Sequence, residues 1–125
     1  MIRYLIDTDC SIYAMLGAHP GLGARLAECE PGEVALSAIC FAEILIGNTL
    51  GHPPDAAVID AFVRVIPVLP FDEAAARTYG ALPFKRARFD RLLAAHALSI
   101  GAVVVTNNPG DFADVPGLVV ENWTE

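Results

Sequence analysis

The chain has 125 residues, of which 54% are hydrophobic and 18% are charged. This length fits one domain spanning residues 1–125, and the hydrophobic content excludes a disordered chain. Fifteen acidic against eight basic residues give a formal net charge of −7, which argues against a broad surface for binding nucleic acid. An acidic protein with a local basic patch can still hold an anionic chain.

Neither a membrane span nor a secretory signal is predicted. The longest apolar stretch, residues 92–105, is interrupted by His96 and Ser99 and falls short of the roughly 20 residues that a spanning helix needs. The apolar run before Asp7 is too short for a signal peptide. The three cysteines form no C-x-x-C pair, so we expect them to be reduced in a cytoplasmic protein.

Short apolar strands and helical segments alternate along the chain. In order, the sequence predicts a strand at 3–6, helices at 9–16 and 20–29, a strand at 34–36, helices at 38–49 and 55–65, a strand at 66–69, helices at 72–82 and 88–99, and strands at 102–106 and 118–120. Ser37 and Asp55 are predicted N-caps, and Gly101 is a predicted helix end. This alternation predicts an α/β fold, a three-layer α/β/α sandwich with a central parallel sheet.

Several acidic residues lie next to the predicted strands. Asp7 directly follows the first strand, with Asp9 two residues on, and Asp111 follows the strand at 102–106. Asp90 begins the helix that leads into that strand. Because ligands bind outside the carboxyl ends of parallel strands, we expect these acids to converge on one edge of the sheet. Each also has a structural alternative, a helix cap for Asp7, Asp9 or Asp90 and a turn for Asp111.

Glu43 stands in the middle of an otherwise apolar helical segment, where an isolated charge is costly unless something compensates it. A salt bridge is one alternative. Clustered carboxylates also stay ionised when a divalent cation lies among them, and oxygen ligands suit Mg²⁺ or Mn²⁺ rather than zinc. His96 does not join such a cluster, because it shares a helix face with Leu92 and Leu93 and is expected to be packed.

A basic cluster lies between two predicted helices. Four of the eight basic residues fall within seven positions, namely Lys85, Arg86, Arg88 and Arg91. The cluster is either a local contact for phosphates or a solvated helix end, and spacing alone leaves both open. With a metal pocket holding four of the acids, the acidic balance no longer excludes a nucleic-acid substrate.

Four segments in order carry a resemblance to the PIN-domain nucleases, closest to the VapC-like toxins of bacterial toxin–antitoxin pairs. They are YLIDTD at 4–9, ALSAI with AEI at 35–39 and 42–44, FDRLLAAHA at 89–97, and VTNNPGDF at 105–112. The resemblance covers nearly the whole chain. Two features depart from the family pattern: Asp9 replaces a usual asparagine, and the segment between Tyr79 and Asp90 is shorter than in many relatives.

The resemblance implies four acids that coordinate Mg²⁺ or Mn²⁺ and hydrolyse RNA phosphodiester bonds. Three would be the principal ligands, with the fourth, Glu43, acting as a ligand or as a base that orients water. The full set of implied residues is Asp7, Glu43, Asp90 and Asp111 at the metal, Thr106, Asn107 and Asp9 in support, and Arg86 and Arg88 at substrate phosphates. The resemblance also implies a VapB-like antitoxin, in a hetero-oligomer or beside a homodimer.

Two other functions fit parts of the sequence. Asp7 and Asp9, in the run DTDCS, match the nucleophile loop of haloacid-dehalogenase-like phosphatases, with Ser37 as an imitation of their second motif. Against this, the loop after residues 102–106 lacks their adjacent acidic pair. The other alternative is a catalytically silent PIN-like module that only binds a partner or RNA.

Overall fold

The structure is a computed structural model that describes residues 1–83 and 88–125. A five-stranded sheet forms its centre, made of β1 (Tyr4–Ile6), β2 (Val34–Ser37), β3 (Val68–Leu69), β4 (Val103–Val105) and β5 (Val120–Glu121). All four strand pairings are parallel, and the order across the sheet is β3-β2-β1-β4-β5. The order reverses direction between β1 and β4, and ligands bind at the carboxyl ends of strands beside such a point.

In the described part of the chain, six helices follow or precede these strands, as the alternation predicts. They are α1 (Thr8–Leu16), α2 (Pro20–Glu28), α3 (Ala38–Thr49), α4 (Ala56–Val65), α5 (Glu73–Ala81) and α6 (Phe89–Ile100). Every residue of β1 and β2 is buried. Because successive strand residues point to opposite faces, both faces of the sheet must be covered by helices. The predicted three-layer α/β fold is therefore confirmed.

Local signals placed most helix ends correctly. The hydroxyl of Ser37 accepts a hydrogen bond from the Ile39 N–H at 3.1 Å, and Asp55 caps α4 through the Val58 N–H at 3.1 Å. Gly101 ends α6 with a φ of 68°, in the left-handed region that glycine tolerates. Asp90 is not a cap, because the N-cap position of α6 is Arg88.

Two strands begin two residues later than predicted, whereas the other three differ from their predicted bounds by no more than one residue at either end. β3 begins at Val68 rather than at residue 66, because the Ile66 N–H donates to the Phe62 carbonyl and still belongs to the end of α4. β5 begins at Val120 rather than at 118, because the Leu118 N–H donates back to the Val115 carbonyl in a turn. Apolar composition predicts the neighbourhood of a strand but not where pairing begins.

The core lies around β1 and is closed by the last residues of the chain. Trp123 is buried and packs edge-on against Tyr4, with ring centroids 4.9 Å apart, and the Arg25 guanidinium lies over the Trp123 ring. Cys10, Cys29 and Cys40 are all free, as predicted. No helix in residues 1–83 or 88–125 is long and apolar enough to cross a membrane.

Candidate active site

One cavity of about 70 Å³ lies at the carboxyl edge of the sheet, beside β1 and β4. All four acids predicted as metal ligands line it, together with four further polar residues. The acids are Asp7, Glu43, Asp90 and Asp111, and the further polar residues are Thr8, Asp9, Asn107 and Asn108. The four acids therefore converge at one edge of the sheet, as predicted. Their catalytic roles stay predictions.

Asp7 combines a structural role with a position in the cavity. It follows β1 and caps α1, with Oδ1 accepting the Cys10 N–H at 2.9 Å. Burial raises the pKa of Asp7, hydrogen bonds from Thr106 and Cys10 partly lower it, and the charge of Asp9 raises it further.

Glu43 enters the cavity from the middle of α3, and Thr8 holds it there. Thr8 Oγ1 donates a hydrogen bond to Glu43 Oε1 at 2.7 Å. Burial raises the pKa of Glu43, Thr8 lowers it, and the nearby charges of Asp90 and Asp9 raise it. The alternative of a salt bridge finds no partner among residues 1–83 and 88–125, where no basic side chain pairs with Glu43.

Asp111 is fixed by a relay from the end of β4. Thr106 is fully buried, and its hydroxyl accepts the Asn108 N–H at 3.0 Å. The Asn108 side-chain amide in turn donates to Asp111 Oδ2 at 2.9 Å. Thr106 therefore supports Asp111 through Asn108, and it also donates a hydrogen bond to Asp7. Asn107 lines the cavity and donates to the Tyr13 hydroxyl at 3.4 Å.

The carboxylates oppose one another electrostatically. Burial raises the pKa of Asp90, and the Asp111 charge raises it further, while Arg88 lowers it. Among the described residues, no three acidic, histidine or cysteine side chains form a ready metal-binding cluster. Like charges that face one cavity repel one another, which is why the Asp111 charge raises the pKa of Asp90. The donor set itself is made of oxygens, which fits Mg²⁺ or Mn²⁺.

Arg86 and Arg88 are the two residues predicted at substrate phosphates. Arg86 lies outside the described residues. Arg88 is half-buried at the start of α6, with Nη2 3.5 Å from the Asp111 carbonyl oxygen, which places it beside the cavity. Arg91 belonged to the same predicted basic cluster, but it is buried and paired with Asp114 at 3.3 Å. It therefore cannot offer a surface charge.

His96 is packed as predicted, and it also makes a contact that the sequence did not reveal. Its Nδ1 lies 2.7 Å from the Ser37 hydroxyl, and Phe71 packs edge-on against its ring. Ser37 is fully buried. It is therefore not available as the phosphate-binding serine of a haloacid-dehalogenase-like phosphatase.

Glu43→Gln should stabilise the metal-free protein at neutral pH. Folding raises the pKa of the Glu43 carboxyl above 4.5. Its contribution to the free energy of unfolding is therefore fully present below pH 4.5 and is lost as the pH rises through the raised pKa. Glutamine removes the repelling charge and still accepts the Thr8 hydrogen bond. We expect the Tm in EDTA to rise by about 2–4 °C at pH 7.5 and to change little at pH 4.5.

Differential scanning fluorimetry at both pH values measures this shift. Glu30→Gln, at an exposed position, is the matched control and should leave the Tm unchanged. A Tm of Glu43→Gln that is lower than that of the wild type at pH 7.5 would contradict the expected repulsion.

Comparison with known proteins adds three findings. A model of the PIN-domain family matches residues 4–118. The chain is 32% identical to the tRNA(fMet)-specific endonuclease VapC of Shigella flexneri, over 99% of this chain and 100% of that protein. Two solved structures share the fold. DNA-bound VapBC from Salmonella typhimurium matches with a TM-score of 0.84 at 27% identity, and VapBC2 from Rickettsia felis bound to a promoter DNA fragment matches with a TM-score of 0.82 at 26% identity. Each match covers 98% of this chain and 99% of the other chain.

Proposed function

Because the chain belongs to the PIN-domain family, we propose that it is a Mg²⁺- or Mn²⁺-dependent endoribonuclease that acts as the toxin of a toxin–antitoxin pair. The observation that carries the proposal is the single cavity into which Asp7, Glu43, Asp90 and Asp111 all face. The name of the Shigella flexneri relative supports an endonuclease that acts on RNA. The haloacid-dehalogenase-like phosphatase is not favoured by either line of support.

In this proposal Asp7, Asp90 and Asp111 hold the cation. When bound, a divalent cation lowers the pKa of water and neutralises charge that develops on the attacked phosphate. Glu43 has one oxygen fixed by Thr8, so its other oxygen is left to join the ligands or to orient the attacking water. Asn108 keeps Asp111 turned toward the cavity, because its amide holds one carboxylate oxygen.

Arg88 is the described residue best placed to contact a substrate phosphate. It lies next to Asp111 and two residues before Asp90, and its guanidinium is a fixed donor fork that suits phosphate oxygens. Asp9 lines the same cavity and is exposed. It adds negative charge close to the proposed ligands, so it supports cation binding and opposes the approach of RNA without a cation.

A VapB-like antitoxin is the proposed partner. The two similar solved structures are VapBC assemblies, and an apolar groove lies between α1, α2 and α4 of this chain, lined by Met15, Leu26, Phe62 and Val65 among others. Val65 is 73% exposed. A second exposed apolar group is available to a homodimer, with Leu45 and Ile46 on the last part of α3 and Leu50 directly after it.

Cleavage of RNA by the purified, antitoxin-free protein tests this function. We expect discrete fragments of initiator tRNA with Mg²⁺ or Mn²⁺ and none with EDTA, and sequencing of fragment ends in total RNA would define the target. A small phosphomonoester run in parallel should stay intact. A folded protein that binds Mn²⁺ but cleaves no RNA would refute the nuclease and favour a silent binding module.

A further inference from the structure

Arg91 is a buried base at the start of α6, next to Asp90 in the chain. It is only 3% exposed. Its Nη2 donates to the Pro83 carbonyl at 2.6 Å, and its Nη1 donates to Asp114 Oδ2 at 3.3 Å. A guanidinium is costly to bury unless its donors are matched, and both of these partners lie on other segments of the chain.

The segment that Arg91 holds is the one that carries Asp111. Asp114 lies three residues after Asp111, beyond the short 3₁₀ helix Pro109–Phe112. From β4, the Thr106–Asn108 relay holds this loop on one side. From α6, the Arg91–Asp114 pair holds it on the other side, and the Arg88 contact to the Asp111 carbonyl is longer, at 3.5 Å.

We propose that Arg91 is a positioning residue that holds the Asp111 loop against α6, so that Asp90 and Asp111 face one cavity. This inference rests on the proposed function for its catalytic consequence. The two donors of the guanidinium point to two partners at once, which the single ammonium of a lysine does not reproduce. Arg91 lines the small cavity beside Tyr79 and Leu82 rather than the acidic one, so it is not placed to contact a substrate bound among the carboxylates.

Loss of this contact releases the loop without removing any carboxylate. Asp111 then spends part of its time away from the position opposite Asp90, and the cation is held less tightly. The turnover number falls for the same reason. The KM for RNA changes little, because the surface that meets RNA is unaltered.

The test compares Arg91→Lys and Arg91→Met with the wild type. Mn²⁺ affinity is measured without RNA, by electron paramagnetic resonance of the free ion, and kcat and KM are measured separately. Residues that hold the metal ligands in place typically contribute about 10–100-fold to metal affinity or activity. We therefore expect the Kd for Mn²⁺ to rise by about tenfold and kcat to fall by about 10–100-fold. The KM should stay within about twofold of the wild-type value. Arg77→Met, which breaks the exposed pair with Glu73, is the control and should change none of these values.

Amide hydrogen exchange of the metal-free protein gives a readout that does not depend on any activity. In Arg91→Lys, which keeps the charge and is the milder change, residues 107–115 should exchange faster while residues 34–49 stay protected. Unchanged exchange in 107–115 would overturn the proposal. So would a raised KM with an unaltered kcat, which would mean that Arg91 contacts RNA. A wild type that binds no Mn²⁺ and cleaves no RNA would refute the proposed function, and the exchange result would still decide the role of Arg91.

Discussion

Asp7→Asn should reduce RNA cleavage by more than about 100-fold while leaving the protein folded. Removal of a residue that only holds a metal ligand in place already lowers activity by up to about 100-fold. Loss of a proposed ligand itself should therefore lower the cleavage rate further. Asparagine still accepts the Cys10 N–H through its amide oxygen, and it is as good an N-cap as aspartate. The change therefore removes the charge and keeps the start of α1.

Asp55→Asn is a matched control for this experiment. Asp55 also caps a helix, through the Val58 N–H at 3.1 Å, but it is exposed and lies outside the acidic cavity. Cleavage rates with saturating Mg²⁺ and Mn²⁺, together with far-UV circular dichroism, separate loss of function from loss of fold. If folded Asp7→Asn cleaves RNA at the rate of Asp55→Asn, Asp7 is not a ligand.

Ser37→Ala should lower the free energy of unfolding by about 2–4 kcal/mol. This value is the sum of the loss of a helix cap and the loss of a buried hydrogen bond. The Ser37 hydroxyl oxygen accepts the Ile39 N–H, so its own proton is free to donate to His96 Nδ1. Burial lowers the pKa of His96, with Asp72 acting in the opposite direction, and the imidazole is therefore neutral at pH 7.5 with one nitrogen as acceptor. Alanine leaves that nitrogen buried without a donor.

Urea denaturation at pH 7.5 measures this change, and Asp55→Ala supplies the contribution of a cap alone, about 1 kcal/mol. The excess of Ser37→Ala over Asp55→Ala is then the part due to His96. Equal losses in the two variants would mean that the Ser37–His96 contact contributes no stability. Since the pKa of His96 is lowered by folding, its contribution is present above pH 6.5 and is lost as the pH falls below that value.

The sequence predicted the layers of the fold because their signals are local. Alternating apolar strands and capped helices are visible in the chain, and Ser37, Asp55 and Gly101 lie where such signals place them. The start of β3 and of β5 was not predictable, since it depends on which backbone groups are already used by a helix end or a turn.

The acids of the site were predictable, but the residues that hold them were not. Asp7 and Asp111 follow strands, and Glu43 is a charge in an apolar helix, so each is conspicuous in the chain itself. Thr8 and Asn108 act through side-chain hydrogen bonds whose partners depend on the folded geometry. From the sequence Arg91 resembles a surface base, because no residue near it in the chain indicates that the Asp114 loop packs against α6.

The place of β1 in the sheet has a consequence for synthesis on the ribosome. β1 is the central strand, yet one of its two neighbours is β4, and the pocket needs Asp111 from beyond β4. Trp123 then covers Tyr4. A nascent chain that has not yet released these last segments has neither a complete sheet nor a complete set of carboxylates. The proposed nuclease site therefore cannot form until the segments that carry Asp111 and Trp123 have left the ribosome, and a message cut short before residue 111 encodes only three of the four acids that line the cavity.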